Sequence, residues 1–283
     1  MASFNYRLRP FSKVLFFPTL LCTFLVLFKG ASAAEHHKLV NFSANIELPA
    51  ISIIIDDLGY TYSRDMRVAN LPGPVTCAIL PRTPYGVRIA EQAHHHHKEI
   101  LLHQPMQATR PNENMGAGGL SLDMSFNEFK RIVNYNLNSL PYIVGINNHM
   151  GSLLSRHPGH MTWLMQVLSA YNDDLLVVDS YTTHASVIGQ MATEYNIPNM
   201  RRDIFLDNVR TTEHITAQFN RLLATASKNG IALAIGHPYP QTIEVLEKLL
   251  PKLKEKGYHI VPISTLLNIQ NTRFRSWRAS LSP

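Results

Sequence analysis

The chain has 283 residues, of which 45% are hydrophobic and 16% are charged, so it can form one large α/β domain and is too apolar to be intrinsically disordered. Its formal charge of +6 overstates its basicity, because Arg7, Arg9, Lys13 and Lys29 lie in an N-terminal leader and their removal leaves 22 basic against 20 acidic residues. This near balance gives no support for a nucleic-acid partner, and we expect none.

The first 34 residues have the three parts of a secretory signal peptide. A basic start is followed by an apolar run over residues 14–28 and then by Gly30-Ala31-Ser32-Ala33-Ala34, which contains an Ala-x-Ala cleavage pattern. The apolar run is short for a membrane span, which needs about 20 residues, so we expect no stable span. We predict cleavage near Ala33 or Ala34 and export across the inner membrane to the periplasm, with an uncleaved N-terminal anchor as the alternative.

Beyond the leader, residues 35–49 lack clear periodicity and are predicted to be a linker, after which strands and helices alternate. Apolar runs predict strands at 51–55, 75–80, 99–103, 142–146, 175–178, 204–206, 231–235 and 258–263. Apolar residues at helical spacing predict helices between consecutive strands, the clearest at 62–70, 84–97, 125–137, 187–195, 215–226 and 240–253.

Repeated strand–helix units predict a parallel sheet. Seven or eight such units in about 230 residues suit a closed or nearly closed (β/α) barrel, which we assign to residues 50–267. An open doubly wound sheet is the alternative architecture. Residues 268–283 are predicted to form a loosely held C-terminal tail.

The first strand ends abruptly in Asp56 and Asp57, followed by Leu58 and Gly59. Four of the five residues at 51–55 are isoleucine, which is typical of a central strand buried on both faces. Two neighbouring carboxylates repel each other and are costly to bury, so the pair needs a cation, strong donors or water. The alternative is that Asp56 caps the next helix and Asp57 is solvated.

Other predicted strands also end in a histidine or a carboxylate: His103, His149, Asp179 and His237. In a barrel these strand ends meet on one face, where active sites lie. Histidine and carboxylate ligands with an open coordination position suit zinc or a similar divalent ion. The constellation predicts a metal-assisted hydrolase, although a single histidine after a strand is more often structural. The run His94–His97 lies in a predicted helix and is interpreted as a solvated helix end.

Several of these segments, in this order, resemble the divergent polysaccharide deacetylase family, a branch of the carbohydrate esterases of the chitooligosaccharide-deacetylase type. The resemblance covers residues 50–264 and implies a distorted (β/α) barrel of seven to eight parallel strands and a polysaccharide or glycan substrate. The segments that carry it are Ile53-Ile54-Ile55-Asp56-Asp57-Leu58-Gly59, Leu101-Leu102-His103-Gln104-Pro105-Met106, Gly145-Ile146-Asn147-Asn148-His149-Met150-Gly151-Ser152, Val178-Asp179-Ser180, Arg202-Asp203-Ile204-Phe205-Leu206-Asp207 and Ala234-Ile235-Gly236-His237-Pro238.

The resemblance also implies roles for individual residues. Asp56 resembles the catalytic base, Asp57 resembles the metal-binding acid beside it, and His103 resembles the first metal histidine. His237 resembles the histidine that acts as the general acid. The residues predicted to support the site or to bind substrate are Asn148, Asp179, Arg202 and Asp207.

Two positions depart from the family pattern. Gln107 stands where a second metal histidine is expected, four residues after the first, and Asn147-Asn148-His149-Met150 replaces an arginine-proline-proline-tyrosine motif. We infer that His149 supplies the missing ligand from a different strand. One divalent ion, zinc, is therefore expected on Asp57, His103 and His149.

The expected function is an exported metal-dependent hydrolase that removes N- or O-acetyl groups from an envelope or extracellular polysaccharide. One alternative is a non-catalytic envelope protein that retains the fold and binds a glycan or a protein. Another is hydrolysis of a different ester or amide in the envelope. The oligomeric state is not predicted by the sequence.

Overall fold

A curled sheet of parallel strands with helices packed around it forms the fold of the computed structural model, which describes residues 48–110 and 114–280, with side chains to residue 274. These residues belong to one compact unit, Asn45–Pro283. The strands are β1 (Ala50–Leu58), β2 (Thr76–Ile79), β3 (Ile100–Met106), β4 (Ile143–Met150), β5 (Leu176–Asp179), β6 (Asn199–Arg201), β7 (Ile204–Phe205), β8 (Ile231–Gly236) and β9 (His259–Ile260). The helices are α1 (Tyr62–Ala69), α2 (Gly86–His95), α3 (Phe126–Leu137), α4 (Pro158–Tyr171), α5 (Ile188–Glu194), α6 (Thr212–Asn229), α7 (Pro240–Leu249) and α8 (Ile263–Ser280).

The spatial order of the strands is β6-β5-β4-β3-β2-β1-β8-β7, and every pair is parallel. The two edge strands, β6 and β7, are joined by only Arg202 and Asp203, so the sheet must curl until its edges meet. Residues 199–205 thus act as one interrupted strand that pairs first with β5 and then with β8. This confirms the predicted distorted (β/α) barrel and brings β8 beside β1, to which it is bonded from Ala50 to Ile55.

Two apolar layers follow from the alternation of side chains along the strands. On β1, Ile51, Ile53 and Ile55 belong to the large layer between the sheet and its helices. Ala50 and Ile54 point the other way, into a smaller cluster that fills the barrel interior. The interior cluster consists of Ala50, Ile54, Ala78, Leu101, Leu176, Val178, Met200, Leu233, Ile235, Ile263, Leu266 and Leu267.

The first turns of α8 complete this interior cluster at the end where β1 begins. Ile263, Leu266 and Leu267 are almost fully buried against the strands. Ser264 anchors the start of the helix, since its backbone N–H and its hydroxyl both donate to the carboxylate of Glu99. Helix α8 therefore closes the barrel end opposite the one that carries the polar strand ends.

Three sequence predictions differ from the observed elements. The strand β6 was not predicted, and the predicted last strand at 258–263 is reduced to β9, which pairs with the first residues of β1. The boundary predicted at residue 268 falls within α8, because burial of its first turns fixes a helix that continues to Ser280. The predicted leader, its cleavage site and most of the linker lie outside the described residues.

One other prediction agrees with the structure. His94–His97 are exposed at the end of α2, as predicted for a solvated helix end. Among the residues that the structure describes, no helix combines the length and the apolar character needed to cross a bilayer.

Candidate metal centre

Polar side chains occupy the next inward-facing positions above the interior apolar cluster. Ile54 is followed two residues later by Asp56, Leu101 by His103, Val178 by Ser180, Met200 by Arg202 and Ile235 by His237. On β4, Asn147 and His149 pair with His103 and Pro105 of β3. The period of two that builds the core therefore also points these polar groups into the barrel mouth.

Asp57 breaks this alternation. As the residue after the inward-facing Asp56, it would face the helix layer on a regular strand. Instead its φ is 59°, in the left-handed region, and the β1–β2 register shifts between Ile55 and Leu58. This bulge turns Asp57 towards the mouth, so that two consecutive carboxylates serve one site. Aspartate tolerates the left-handed conformation better than most residues, and strain of this kind is frequent at functional sites.

Three ligand atoms converge beside the bulge. Asp57 Oδ1 lies 3.1 Å from His103 Nε2 and 2.9 Å from His149 Nδ1. The two ring nitrogens lie 3.2 Å apart. Asp57 Oδ1 is buried and, despite these distances, accepts no well-formed hydrogen bond. The three residues are the one group of histidine, cysteine or acidic side chains in the described part of the chain whose atoms can share a metal ion.

Asn147 fixes how the ring of His103 presents its nitrogens. The Asn147 Nδ2 group donates to Asp56 Oδ1 at 2.7 Å, so Asn147 Oδ1 faces His103 Nδ1, at 2.8 Å. His103 Nδ1 must then be the donor, which leaves the lone pair of neutral His103 on Nε2, directed at Asp57. A carboxylate oxygen and an imidazole lone pair facing each other repel unless a cation or a proton lies between them. The arrangement therefore fits a metal ion.

Burial and neighbouring charges shift the pKa values of Asp56, Asp57 and His103. Burial raises the pKa of Asp56, against the opposing charges of His103 and His237. Burial also acts to raise the pKa of Asp57, but interactions with His103 and His149 outweigh it and hold that pKa well below its usual range. Burial lowers the pKa of His103, yet Asp56 and Asp57 overcome this and raise it to about 9. A proton on His103 offsets the negative charge of Asp57 when no metal is bound.

His237 lies on the other side of Asp57. Its Nε2 is 3.8 Å from Asp57 Oδ2, the oxygen that is turned away from the other two histidines. Its Nδ1 donates to Asp207 Oδ1 at 2.9 Å, while its backbone N–H and Thr242 Oγ1 donate to Asp207 Oδ2. Burial lowers the pKa of His237, but the hydrogen bond to Asp207 and the negative charges of Asp207, Asp56 and Asp57 together outweigh it, so the pKa is raised overall. Asp207 thereby fixes the ring with Nε2 facing the mouth.

The other predicted site residues lie around the centre and do not touch the three ligand atoms. Arg202 donates to the backbone oxygens of Ser180 and Tyr181, and its charge interacts with Asp56. Asn148 accepts a hydrogen bond from the backbone N–H of Ser180. Asp179 is buried and accepts from the backbone N–H of Tyr181, so it shapes the loop after β5.

Gln107, at the position of the missing motif histidine, has a structural role. Its side-chain oxygen accepts from the backbone N–H of Leu122, and its backbone carbonyl accepts from Leu153 and Leu154. It therefore ties the long loop after β3 to the segment after β4. His149 reaches the centre instead, because its strand pairs with β3 beyond His103.

Two supporting residues were missed by sequence reasoning. Asn147 could have been found by counting two residues back from His149, since both must face the same side of β4. Asp65 is fully buried and accepts from the backbone N–H groups of Gly59 and Thr61 and from Arg64 Nε. It fixes the turn that follows the two carboxylates, but in the sequence it is indistinguishable from an ordinary first-turn helix acid.

A model of the divergent polysaccharide deacetylase family matches residues 53–267 of this chain. The uncharacterized protein YibQ of Escherichia coli (strain K12) is 34% identical over 230 residues, which cover 81% of this chain and 71% of that protein. An uncharacterized protein of Haemophilus influenzae is 37% identical over 205 residues, which cover 72% of each.

The fold is also similar to a solved structure. The crystal structure of an uncharacterized protein of Agrobacterium tumefaciens C58 superposes with a TM-score of 0.74 at 21% sequence identity, over 77% of this chain and 89% of that one. This likeness extends over the barrel and concerns the fold alone.

Proposed function

Because the chain belongs to the divergent polysaccharide deacetylase family, we propose that it is a metal-dependent hydrolase that removes acetyl groups from an envelope or extracellular polysaccharide. The observation that carries the proposal is the convergence of Asp57, His103 and His149, with Asp56 and His237 beside them. A glycan-binding protein needs neither a buried base nor an oriented proton donor, whereas a hydrolase needs both.

The three ligands suit one divalent ion, and we assign zinc. Two imidazoles and one carboxylate are a common catalytic zinc set, which leaves a position for water or substrate. When bound, such an ion polarises an acyl oxygen and lowers the pKa of its water towards about 7. Asn147 holds His103 in the orientation that ligation needs.

Asp56 is the proposed general base. Its Oδ1 is held by Asn147, which leaves Oδ2 directed towards His103, 3.7 Å from Nε2. Burial raises its pKa, so the carboxylate takes up a proton from an attacking water more readily than an exposed aspartate would.

His237 is the proposed general acid. Its raised pKa keeps a proton available on Nε2, and Asp207 stabilises the charged ring. It faces Asp57 from the side away from His149, which suits delivery of a proton to the departing amine or alcohol.

The proposed roles separate in a test of metal content and turnover. Asp57→Ala, His103→Ala and His149→Ala should lose metal stoichiometry, because each removes a ligand. Asp56→Asn and His237→Ala should keep metal and fold but lose about 10²–10⁴-fold in turnover of an acetylated glycan. Asp123→Asn, which alters an exposed carboxylate bonded to Ser121, is the matched control and should change neither quantity.

The alternative function is binding without catalysis, which the replacement of the arginine-proline-proline-tyrosine motif favours. This binding function is established if the wild-type protein, loaded with zinc, manganese, nickel or cobalt, binds chitin, peptidoglycan or exopolysaccharide fragments but deacetylates none. If His149→Ala retains full metal at unchanged affinity, our assignment of the third ligand is wrong.

We also propose that the protein is exported to the periplasm after cleavage near Ala33 or Ala34. The support is the basic start, the short apolar run and the Ala-x-Ala pattern of the leader. Mass spectrometry of the protein from fractionated cells should find a mature terminus near Glu35. An intact Met1 terminus in the membrane fraction would instead establish the anchor.

A further inference from the structure

An arginine is held on the leaving-group side of the centre by an aromatic ring. Arg210 Nη2 donates to the hydroxyl of Tyr239 at 2.7 Å, and the guanidinium carbon lies 3.9 Å from the centroid of the Tyr239 ring. The Tyr239 ring is in turn 5.5 Å from the ring of His237. The guanidinium therefore packs on Tyr239, which in turn lies beside His237, the proposed proton donor.

The charge of Arg210 is not neutralised within the described part of the chain. No carboxylate there forms an ion pair with it, and Tyr239 takes up one of its N–H donors. The residue is exposed, so the remaining donors face solvent beside the mouth. A guanidinium fixed in one plane suits bidentate binding of a carboxylate or a phosphate.

The loops around the mouth of the barrel contain more arginines than acidic residues. The segments after the strand ends, 59–64, 80–85, 107–125, 151–157, 206–211 and 237–239, contain five arginines and no lysine. Their acids are Glu113, Asp123 and Asp207, and Asp207 is engaged by His237 and Thr242. The arginines are Arg64, which is paired with Asp65 of α1, and Arg82, Arg110, Arg156 and Arg210.

We propose that Arg210, held by Tyr239 beside His237, is a specificity-determining residue that binds an anionic group on the saccharide from which the acyl group is removed. The substrate is then an acidic glycan that carries a carboxylate or a phosphate close to its acetylated position. This inference rests on the proposed hydrolase function, because it assigns the leaving group to the His237 side. It adds the charge of the substrate, which family membership does not give.

The test compares matched substrates at low ionic strength, where charge interactions are least screened. Hyaluronan oligosaccharides carry acetamido and carboxylate groups, and their carboxyl-reduced forms are neutral on the same backbone. We expect zinc-loaded wild-type protein to prefer the charged form by about tenfold or more in kcat/KM. Chitooligosaccharides with and without 6-phosphate show whether phosphate serves as the anion.

Substitutions of Arg210 test whether this residue binds the anionic group. Arg210→Gln should lower kcat/KM for the charged substrate by about 10–100-fold through KM and should leave the neutral substrate unchanged. Arg210→Lys should recover only part of the loss, because lysine lacks the planar fork. Arg221→Gln removes an exposed arginine from the middle of α6 and is the control that should behave as wild type on both substrates.

Equal kcat/KM on charged and neutral substrates would overturn the inference and leave the hydrolase proposal intact. If neither these substrates nor the chitin, peptidoglycan and exopolysaccharide fragments are turned over, the hydrolase proposal fails, and calorimetric binding of hyaluronan oligosaccharides to wild type and Arg210→Gln decides the charged subsite. Equal affinities of the two proteins would then overturn it.

Discussion

At the scale of single residues, the centre depends on one amide. Asn147 contacts both halves of the site, since its oxygen faces His103 and its Nδ2 group bonds Asp56. It thereby sets the tautomer of a proposed ligand and the orientation of the proposed base at once. Substitution of a residue that hydrogen-bonds a metal ligand typically weakens metal affinity by about 10–100-fold.

We expect Asn147→Ala to weaken zinc binding by about 10–100-fold while the protein still folds. The loss of its buried hydrogen bonds to His103, Asp56 and Ser180 should lower the free energy of unfolding by about 1–3 kcal/mol. Competition with a chromophoric chelator measures the first effect, and chemical denaturation of the metal-free protein measures the second.

Asn148→Ala is the control for this prediction. Its side chain bonds Met150 and Ser180 and touches neither His103 nor Asp56, so stability should fall without a change in zinc affinity. Unchanged zinc affinity in Asn147→Ala would show that the amide does not control the ligand.

At the scale of secondary-structure elements, the two ends of the barrel have separate tasks. Polar residues at the strand ends form the centre, whereas α8 packs Ile263, Leu266 and Leu267 into the opposite end. Stability and chemistry are therefore carried by different residues, which substitutions at either end can separate.

Leu266→Ala should lower the free energy of unfolding by about 2–5 kcal/mol, because this side chain is fully buried among interior strands. Zinc affinity should stay unchanged, since the substitution lies away from the centre. Urea denaturation measures the stability change. Asn268→Ala, an exposed neighbour on the same helix, should remain within about 0.5 kcal/mol of wild type. A loss as small as that of the control would mean that α8 does not close the barrel.

Most of the strands and the cluster of Asp57, His103 and His149 were predictable because local patterns determine them. Apolar runs located β1, β3, β4 and β8, and the polar residues after these runs included Asp57, His103, His149 and His237. The bulge at Asp57 was not predictable, because its left-handed φ depends on neighbouring strands. Helix α8 was not predicted, because Pro262 precedes it and polar residues follow Leu267 in the sequence. Its first turns are fixed only by tertiary burial, which the sequence pattern does not reveal.

At the scale of the whole molecule, closure of the sheet brings together residues that are distant in the sequence. His237 reaches Asp57 because β8 pairs with β1, and β8 can do so because the interrupted strand at 199–205 joins the two edges. The protonation of this assembled centre, rather than any single residue, should then link metal binding to the stability of the fold.

Without metal, stability should fall as pH rises from about 6.5 to about 9. The pKa of folded His103 is raised to about 9 by Asp56 and Asp57, which overcome the effect of burial. A group with a raised pKa stabilises the fold fully below its unfolded value of about 6.5, and this contribution is lost as pH rises through the folded pKa. The pKa of His237 is raised as well, so its contribution has the same sign.

With zinc, most of this pH dependence should disappear. The ion must displace the proton from His103, so its apparent affinity should rise by up to about tenfold per pH unit over this range. This gain in affinity offsets the stability that the metal-free fold loses, since neither the zinc-bound fold nor the unfolded chain holds a proton on His103 in this range. Thermal denaturation between about pH 6.5 and 8.5 should therefore give a falling curve in chelator and a nearly flat one in excess zinc. His103→Gln should flatten most of the slope in chelator, with the remainder due to His237. A metal-free protein whose stability does not change over this range would contradict the charged cluster of Asp56, Asp57 and His103 on which the proposed site depends.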